Sequence, residues 1–215
     1  MAFIDNISLI VNLLILAAVG IFYTGFYAWF NFRRKDLDRA MTGMRSGALL
    51  LVILATIIGI VAVWGELTFP LPGSYNVFFF DPLALLALLI EAFGLAVLLR
   101  LPTSFVGVFG VVVGCGVIFY GVRAYQLHLT SDPLETLLLY LAFGALAIGS
   151  LVPALFVDWF IMGPKMPNVQ PIASTEIPAY PRMWTVLLGA FLVVTFLAGL
   201  AAVLYAFNIV WAHLA

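Results

Sequence analysis

Six long apolar runs, separated by short breaks that carry the charges and most of the prolines, constrain this chain more than any other feature. They cover about 6–30, 43–64, 82–100, 103–126, 133–162 and 181–213, each near the roughly 20 residues a helix needs to cross the hydrocarbon core of a bilayer. Hydrophobic residues make up 65% of the 215 positions and charged residues 9%, against roughly 25% charged in a soluble domain. The expected fold class is all-α: a polytopic transmembrane helix bundle of six spans, forming one integral membrane domain over residues 1–215. Its natural partners are membrane lipid and other membrane protein subunits.

The net charge of −1 hides an asymmetry along the chain. Arg33, Arg34, Lys35, Arg39 and Arg45 lie between the first two spans, while Gly65 to Asp81 contains no Lys or Arg. Arg100, Lys165 and Arg182 fall on the side of the first group, and only Arg123 falls towards the other. The positive-inside rule makes the basic side cytoplasmic and places both termini outside the cytoplasm of a cell membrane. Tyr23, Tyr27 and Trp29 then belong to the inner interfacial belt, Trp64 and Trp211 to the outer one. No basic footprint for nucleic acid is present. The first run follows Asp5 and has its basic flank behind it, the reverse of a cleavable signal peptide, so it reads as a retained span. The single cysteine, Cys115, excludes an intramolecular disulfide and any CxxC motif.

Helix starts are legible. Asp81-Pro82 and Asp132-Pro133-Leu134-Glu135 each place a capping carboxylate before a proline at the first helical position, and Glu135 completes a capping-box spacing. Thr103 or Ser104 can cap the fourth span, and Pro181 can open the sixth. Pro153 is expected to kink the fifth, because its ring removes a backbone hydrogen bond. No internal repeat supports an inverted-repeat transporter.

Two connections are unusual. The outer one, GELTFPLPGSYNVFFFDP, is apolar and aromatic, with Leu71-Pro72-Gly73-Ser74 suited to a type II turn, and is expected against the membrane interface. The inner one, residues 163–181, holds five of the eleven prolines. PKMP and PAYP fit a PxxP spacing, so the segment is expected to be extended in part, as a stiff connector or a docking strip.

The stretch from Leu67 to Tyr125, carried by PLPGSYN, the Asp-Pro before helix three and Tyr-Gly-x-Arg at the end of helix four, resembles an uncharacterised family of mainly archaeal multi-pass membrane proteins, domain of unknown function 981. The resemblance implies several membrane helices and no assigned activity. The tail beyond about Pro164 looks less like that family.

Glu91 is the carboxylate set midway along an apolar span, and charges there are scarce and often functional. Asp81, Asp132 and Glu135 have sufficient employment as helix caps, and Asp158 with Trp159 falls near the inner membrane surface. The candidate ligand- or proton-site residues are therefore Glu91, Arg123, Tyr75, Asn76 and Glu66. Ala84, Ala87, Glu91 and Gly94 form one stripe, and Gly107, Gly110, Gly114 and Gly121 form another on the next helix. Small stripes face other helices. Helices three and four are joined by a short turn, which brings position 91 level with Gly114 and Cys115 and points Glu91 into the bundle. Arg123 stands about 15 Å nearer the outer surface and is not expected to pair with it. Glu91 can thus be a carboxyl hydrogen-bonded to backbone or to Asn12, Thr56 or Asn208, a proton or cation relay, or a polar anchor in a lipid or quinone cavity. His128 and His213 share the outer side, which permits a shared metal or haem b, although no HxxxH or CxxCH supports ligation.

No nucleophile and base pair and no metal or cofactor fingerprint appears. The leading reading is a non-enzymatic integral membrane protein, either an accessory subunit of a larger membrane complex or a lipid-, quinone- or small-ligand-binding module. The alternatives are a small proton-linked transporter using Glu91 and a haem-containing electron-transfer subunit.

Overall fold

A computed structural model describes residues 6–71, 73–130, 132–162 and 182–214. Helices α1 (Asn6–Arg33), α2 (Leu37–Thr68), α3 (Ser74–Leu99) and α4 (Ser104–Gln126) are the first four spans. The fifth, Pro133–Met162, consists of α5 (Pro133–Gly149), α6 (Leu151–Phe156) and a π-helical turn (Val157–Met162), and α7 (Arg182–Leu214) contains the sixth. No strand occurs among the described residues, and all six spans are long and apolar enough to cross a membrane.

Each span packs on its sequence neighbours, and α7 closes the circuit by contacting α1. Side chains on the outside of this ring are large and apolar along every span, among them Leu16, Ile60, Val112, Leu138 and Phe196. A continuous apolar exterior suits hydrocarbon and not water.

The described helices extend beyond their apolar runs. The connection between α1 and α2 shrinks to residues 34–36, because Asp36 caps α2: its carboxylate accepts from Arg39 N at 3.0 Å and pairs with Arg39 Nε at 3.3 Å. Arg39 and Arg45 therefore ride on α2 instead of in a loop.

Helix α3 begins at Ser74 and not at Asp81, so Asp81 is no helix cap and Pro82 lies inside the helix. Two side chains make this early start tenable. Asn76, fully buried, donates through Nδ2 to Gly65 O at 3.0 Å and accepts from Leu71 N at 3.5 Å, tying the turn to the end of α2. Pro82 offers no N–H to the carbonyl four residues earlier, and that carbonyl, of Phe78, instead accepts from the hydroxyl of Tyr140 on α5. Gly73 has the positive φ (56°) expected of a type II turn, but its ψ of −126° is not that turn's value. The aromatic connection is thus mostly helix, and the link from α2 to α3 is residues 69–73.

Thr103 occupies the N-cap of α4 but its own side chain does not cap. Asp158, from the π-helical turn, reaches across: Oδ1 accepts from Thr103 N and from Thr103 Oγ1, each at 2.7 Å, and Oδ2 accepts from Ser104 N at 2.8 Å. Asp132 and Pro133 take the N-cap and first helical positions of α5 as expected, with no side-chain cap bond from Asp132. The fifth span is interrupted at Ser150, a turn before Pro153. Pro181 and the proline-rich segment lie outside the described residues.

The two small-residue stripes do not face each other. A side chain at Gly94 would meet Val52 and Ala48 O of α2, and Ala87 is the nearest neighbour of Gly59. On α4, Gly107, Gly110, Gly114 and Gly121 press against Leu151, Ala147, Gly144 and Tyr140 of the fifth span. A stripe of small residues permits close approach but does not name the partner, and here each helix of the α3–α4 pair uses its stripe on its other neighbour.

Candidate functional site

The core divides into two clusters. One includes Leu14, Ile58, Phe80, Leu83, Val117 and Tyr140; the other, towards the basic end, includes Phe32, Met44, Phe156, Ile161 and Trp184. Between them lies an apolar cavity of about 140 Å³ whose wall comes from α1, α2, α3, the fifth span and α7, but not from α4. Its lining runs from Leu14 and Leu86 to Trp29 and Ile161. On the fifth span the wall contains the break itself, Ser150 and Pro153, and the start of the π-helical turn at Val157. An apolar void of about 150 Å³ stays dry and holds a molecule of benzene size. This cavity is lined almost wholly by apolar side chains.

One lining side chain carries a shielded polar atom that does not open on the cavity. Trp29 lines it, and the indole Nε1 of Trp29 is buried without a hydrogen-bond partner. The exposed Arg33 lies over the same ring, its guanidinium carbon 5.3 Å from the centroid, within cation–π range. Sequence reasoning placed Trp29 in an interfacial belt. Nothing in the sequence distinguishes an indole N–H that meets headgroups from one folded inward.

Glu91 lies off this cavity. Its neighbours Leu89, Ile90 and Phe93 line the void, whereas Glu91 is half-exposed on the seam between α3 and α2, where its Oε1 stands 3.4 Å from the hydroxyl of Thr56. The Thr56 hydroxyl also donates to Val52 O at 2.9 Å, so the longer contact is the weaker. Thr56 is one of the three side chains expected beside Glu91. The expected placement next to Gly114 and Cys115 is replaced by α2, because Gly114 packs on α5 and Cys115 is exposed.

A second group of polar side chains joins α2, α3 and α4 near the end opposite the basic residues. Tyr120 donates to Asp81 Oδ2 at 2.6 Å, and the carboxyl of Glu66 is a neighbour of Asp81. Glu66 Oε1 is buried and unpartnered. Asp81 reached this position because α3 starts early, which the Asp-Pro pair concealed; Tyr120 carried no sequence signal.

The remaining candidates do not converge. Arg123 is exposed and donates to Gln126 Oε1 at 3.0 Å. Asn76 is buried with its side chain bonded to Gly65 O and Leu71 N, and Tyr75 is half-buried in the first turn of α3. His128 is exposed beyond the end of α4 at φ 48°, with Tyr125 at 6.2 Å between ring centroids. The side chain of His213 lies outside the described residues, as do those of Asn208 and Trp211. Among the described residues no three His, Cys, Asp or Glu side chains form a metal-binding group.

A closed circuit of six apolar helices with a hydrocarbon-lined cavity defines a polytopic α-helical membrane protein. The chain belongs to the family described as protein of unknown function (DUF981), whose family model matches residues 1–215. The match therefore includes the proline-rich segment and the sixth span, correcting the expectation that the tail beyond Pro164 departs from the family. No curated protein and no solved structure matches the chain.

Proposed function

We propose that this protein is a non-enzymatic membrane module that holds a small apolar ligand or lipid chain inside its helix ring. The observation that carries the reading is the apolar cavity of about 140 Å³ between the two core clusters. Residues 1–215 act as one integral membrane domain in a cell membrane, with the arginine-rich end cytoplasmic by the positive-inside rule. A chain of about six carbons matches the void. Native mass spectrometry of the full chain released from mild detergent tests this: the wild type retains an apolar ligand, and Leu146→Trp and Leu192→Trp, both on the lining, lose it. Empty wild-type protein, or equal retention by both variants, sinks the reading.

A second reading, a small proton-linked carrier, is favoured by the Glu66, Asp81 and Tyr120 cluster and not by Glu91. In liposomes under a pH gradient, Glu66→Gln then abolishes flux that Glu91→Gln leaves intact; flux insensitive to Glu66→Gln excludes it.

A further inference from the structure

Glu91 stands at the middle of the bilayer and on the outside of the ring. Close approaches fix the register of α3 on α2: Gly65 meets Phe80, Gly59 meets Ala87 and Gly94 meets Val52, so Glu91 is level with Ala55. Ala55 lies midway between Arg45 and Glu66, with no charge between those two. At a rise of about 1.5 Å per residue they are about 30 Å apart, the thickness of the hydrocarbon core. The carboxyl of Glu91 is half-exposed and Thr56 beside it is exposed. Thr56 gives its proton to Val52 O at 2.9 Å, which leaves only the longer contact of 3.4 Å to Glu91 Oε1. Among the described residues Glu91 has no other hydrogen bond and no ion pair. Ionisable side chains within membrane helices face a bundle interior or a water-filled cavity and find partners there. Glu91 has neither setting within this chain, because it does not line the apolar cavity. A further helix laid over the seam would give it one, and the surface admits such a helix. Ala84 and Ala92 are small and half-buried beside Glu91, while Leu88, Leu95, Ile53 and Ile60 are exposed around it. Small residues let two membrane helices approach closely.

We propose that the α2–α3 seam is the docking surface for a transmembrane helix of a different protein, one that carries a Lys or Arg near its midpoint and pairs that charge with Glu91. The complement of a carboxylate in hydrocarbon is a cation that donates hydrogen bonds, since each charge then offsets the other. The nine Lys and Arg residues of this chain all lie at helix ends or in connections. A second copy inserted in the same way therefore brings no cation to the depth of Glu91, whichever face it presents. The seam lies apart from the cavity, so the assignment stands or falls independently of the ligand reading.

Fluorescence transfer in phosphatidylcholine vesicles, from the full-length protein labelled at its C-terminus to synthetic helices of about 20 leucine-rich residues, tests the docking. The probes carry a central Lys, a central Gln or leucine alone. The Lys helix is expected to bind about tenfold more tightly than the leucine helix, the scale of one polar contact between membrane helices. Glu91→Gln removes that preference. Leu88→Trp, which leaves the carboxyl in place and obstructs the seam, weakens binding of the Lys helix. Moving the Lys about five residues towards either end, roughly 7 Å of depth, also removes the preference. A Lys helix that binds no better than leucine alone overturns the assignment, as does a preference undiminished in both Glu91→Gln and Leu88→Trp. A Gln helix equal to the Lys helix overturns the charge pairing. Transfer between two labelled copies of the protein that Glu91→Gln abolishes would make the occupant a second copy and overturn the choice of partner.

Discussion

The hydroxyl of Tyr140 on α5 donates to the carbonyl of Phe78 on α3, the group that Pro82 deprives of its helical donor. A proline inside a membrane helix leaves a carbonyl that hydrocarbon cannot solvate, and a neighbouring helix has to supply the proton. The pair also fixes α3 against α5 across the core cluster that contains Leu83 and Val117. Tyr140→Phe is expected to cost about 1–3 kcal/mol, the range for stranding a buried acceptor. In a Pro82→Ala background, where residue 82 regains its N–H, the same change should cost under about 1 kcal/mol. Unfolding in mixed micelles measures all four proteins; equal costs in the two backgrounds would refute the link.

Asp158 serves as the N-terminal cap of α4 from a different span. Asp158→Ala should therefore destabilise by about 2 kcal/mol, the upper range for loss of a cap, and Asp158→Asn by roughly half as much because one acceptor oxygen survives. Hydrogen exchange provides the specific readout: the amides of Thr103 and Ser104 should exchange faster in both variants. Unchanged exchange there would mean that the carboxylate serves something other than the helix.

The Glu91 carboxyl has a single long contact with Thr56, on a lipid-facing seam. Glu91→Gln and Thr56→Val should each alter stability by no more than about 0.5 kcal/mol, the usual scale for positions outside a tight network. A loss above 2 kcal/mol on Glu91→Gln would reveal a buried partner that the seam geometry lacks.

Gly114 and Gly116 are two residues apart and predict opposite outcomes. A Cβ at Gly114 would sit 2.5 Å from Gly144 O and 2.8 Å from Ile148 N, whereas at Gly116 the nearest atom is Leu85 Cδ1 at 3.8 Å. Gly114→Ala should cost about 1–3 kcal/mol through forced separation of α4 and α5. Gly116→Ala should stabilise by about 0.5–1 kcal/mol through helix propensity. Thermal unfolding of the two purified variants compares them directly.

His128 adopts φ 48° in the turn that ends α4, where Leu129 N bonds back to Ala124 O at 3.2 Å. A left-handed conformation costs a side-chain-bearing residue about 1 kcal/mol, so His128→Gly should raise stability by roughly that amount. Haem-replete expression of the same variant bears on the haem reading: a Soret band present in the wild type and lost in the variant would make His128 a ligand, and stability would then fall on substitution.

Six membrane-spanning helices were legible in the sequence, because length and hydropathy are local properties that a bilayer reads residue by residue. Local signals misled where a distant side chain takes over a local task. The Asp81-Pro82 pair has the pattern of a helix start, yet Asn76 and Tyr140 allow α3 to begin at Ser74, and Asp81 is free to meet Tyr120 and Glu66. Thr103 has the pattern of a cap, and Asp158 does the capping. The sequence alone determined that the chain is a six-span helical membrane protein and that small residues on α3 and α4 must meet other helices. Only the tertiary structure decided which helices they meet, that Glu91 stands at a seam, and that Trp29 borders a void. Hydropathy and spacing specify which faces must be covered, whereas the neighbour that covers each face follows from how all six helices close into one ring.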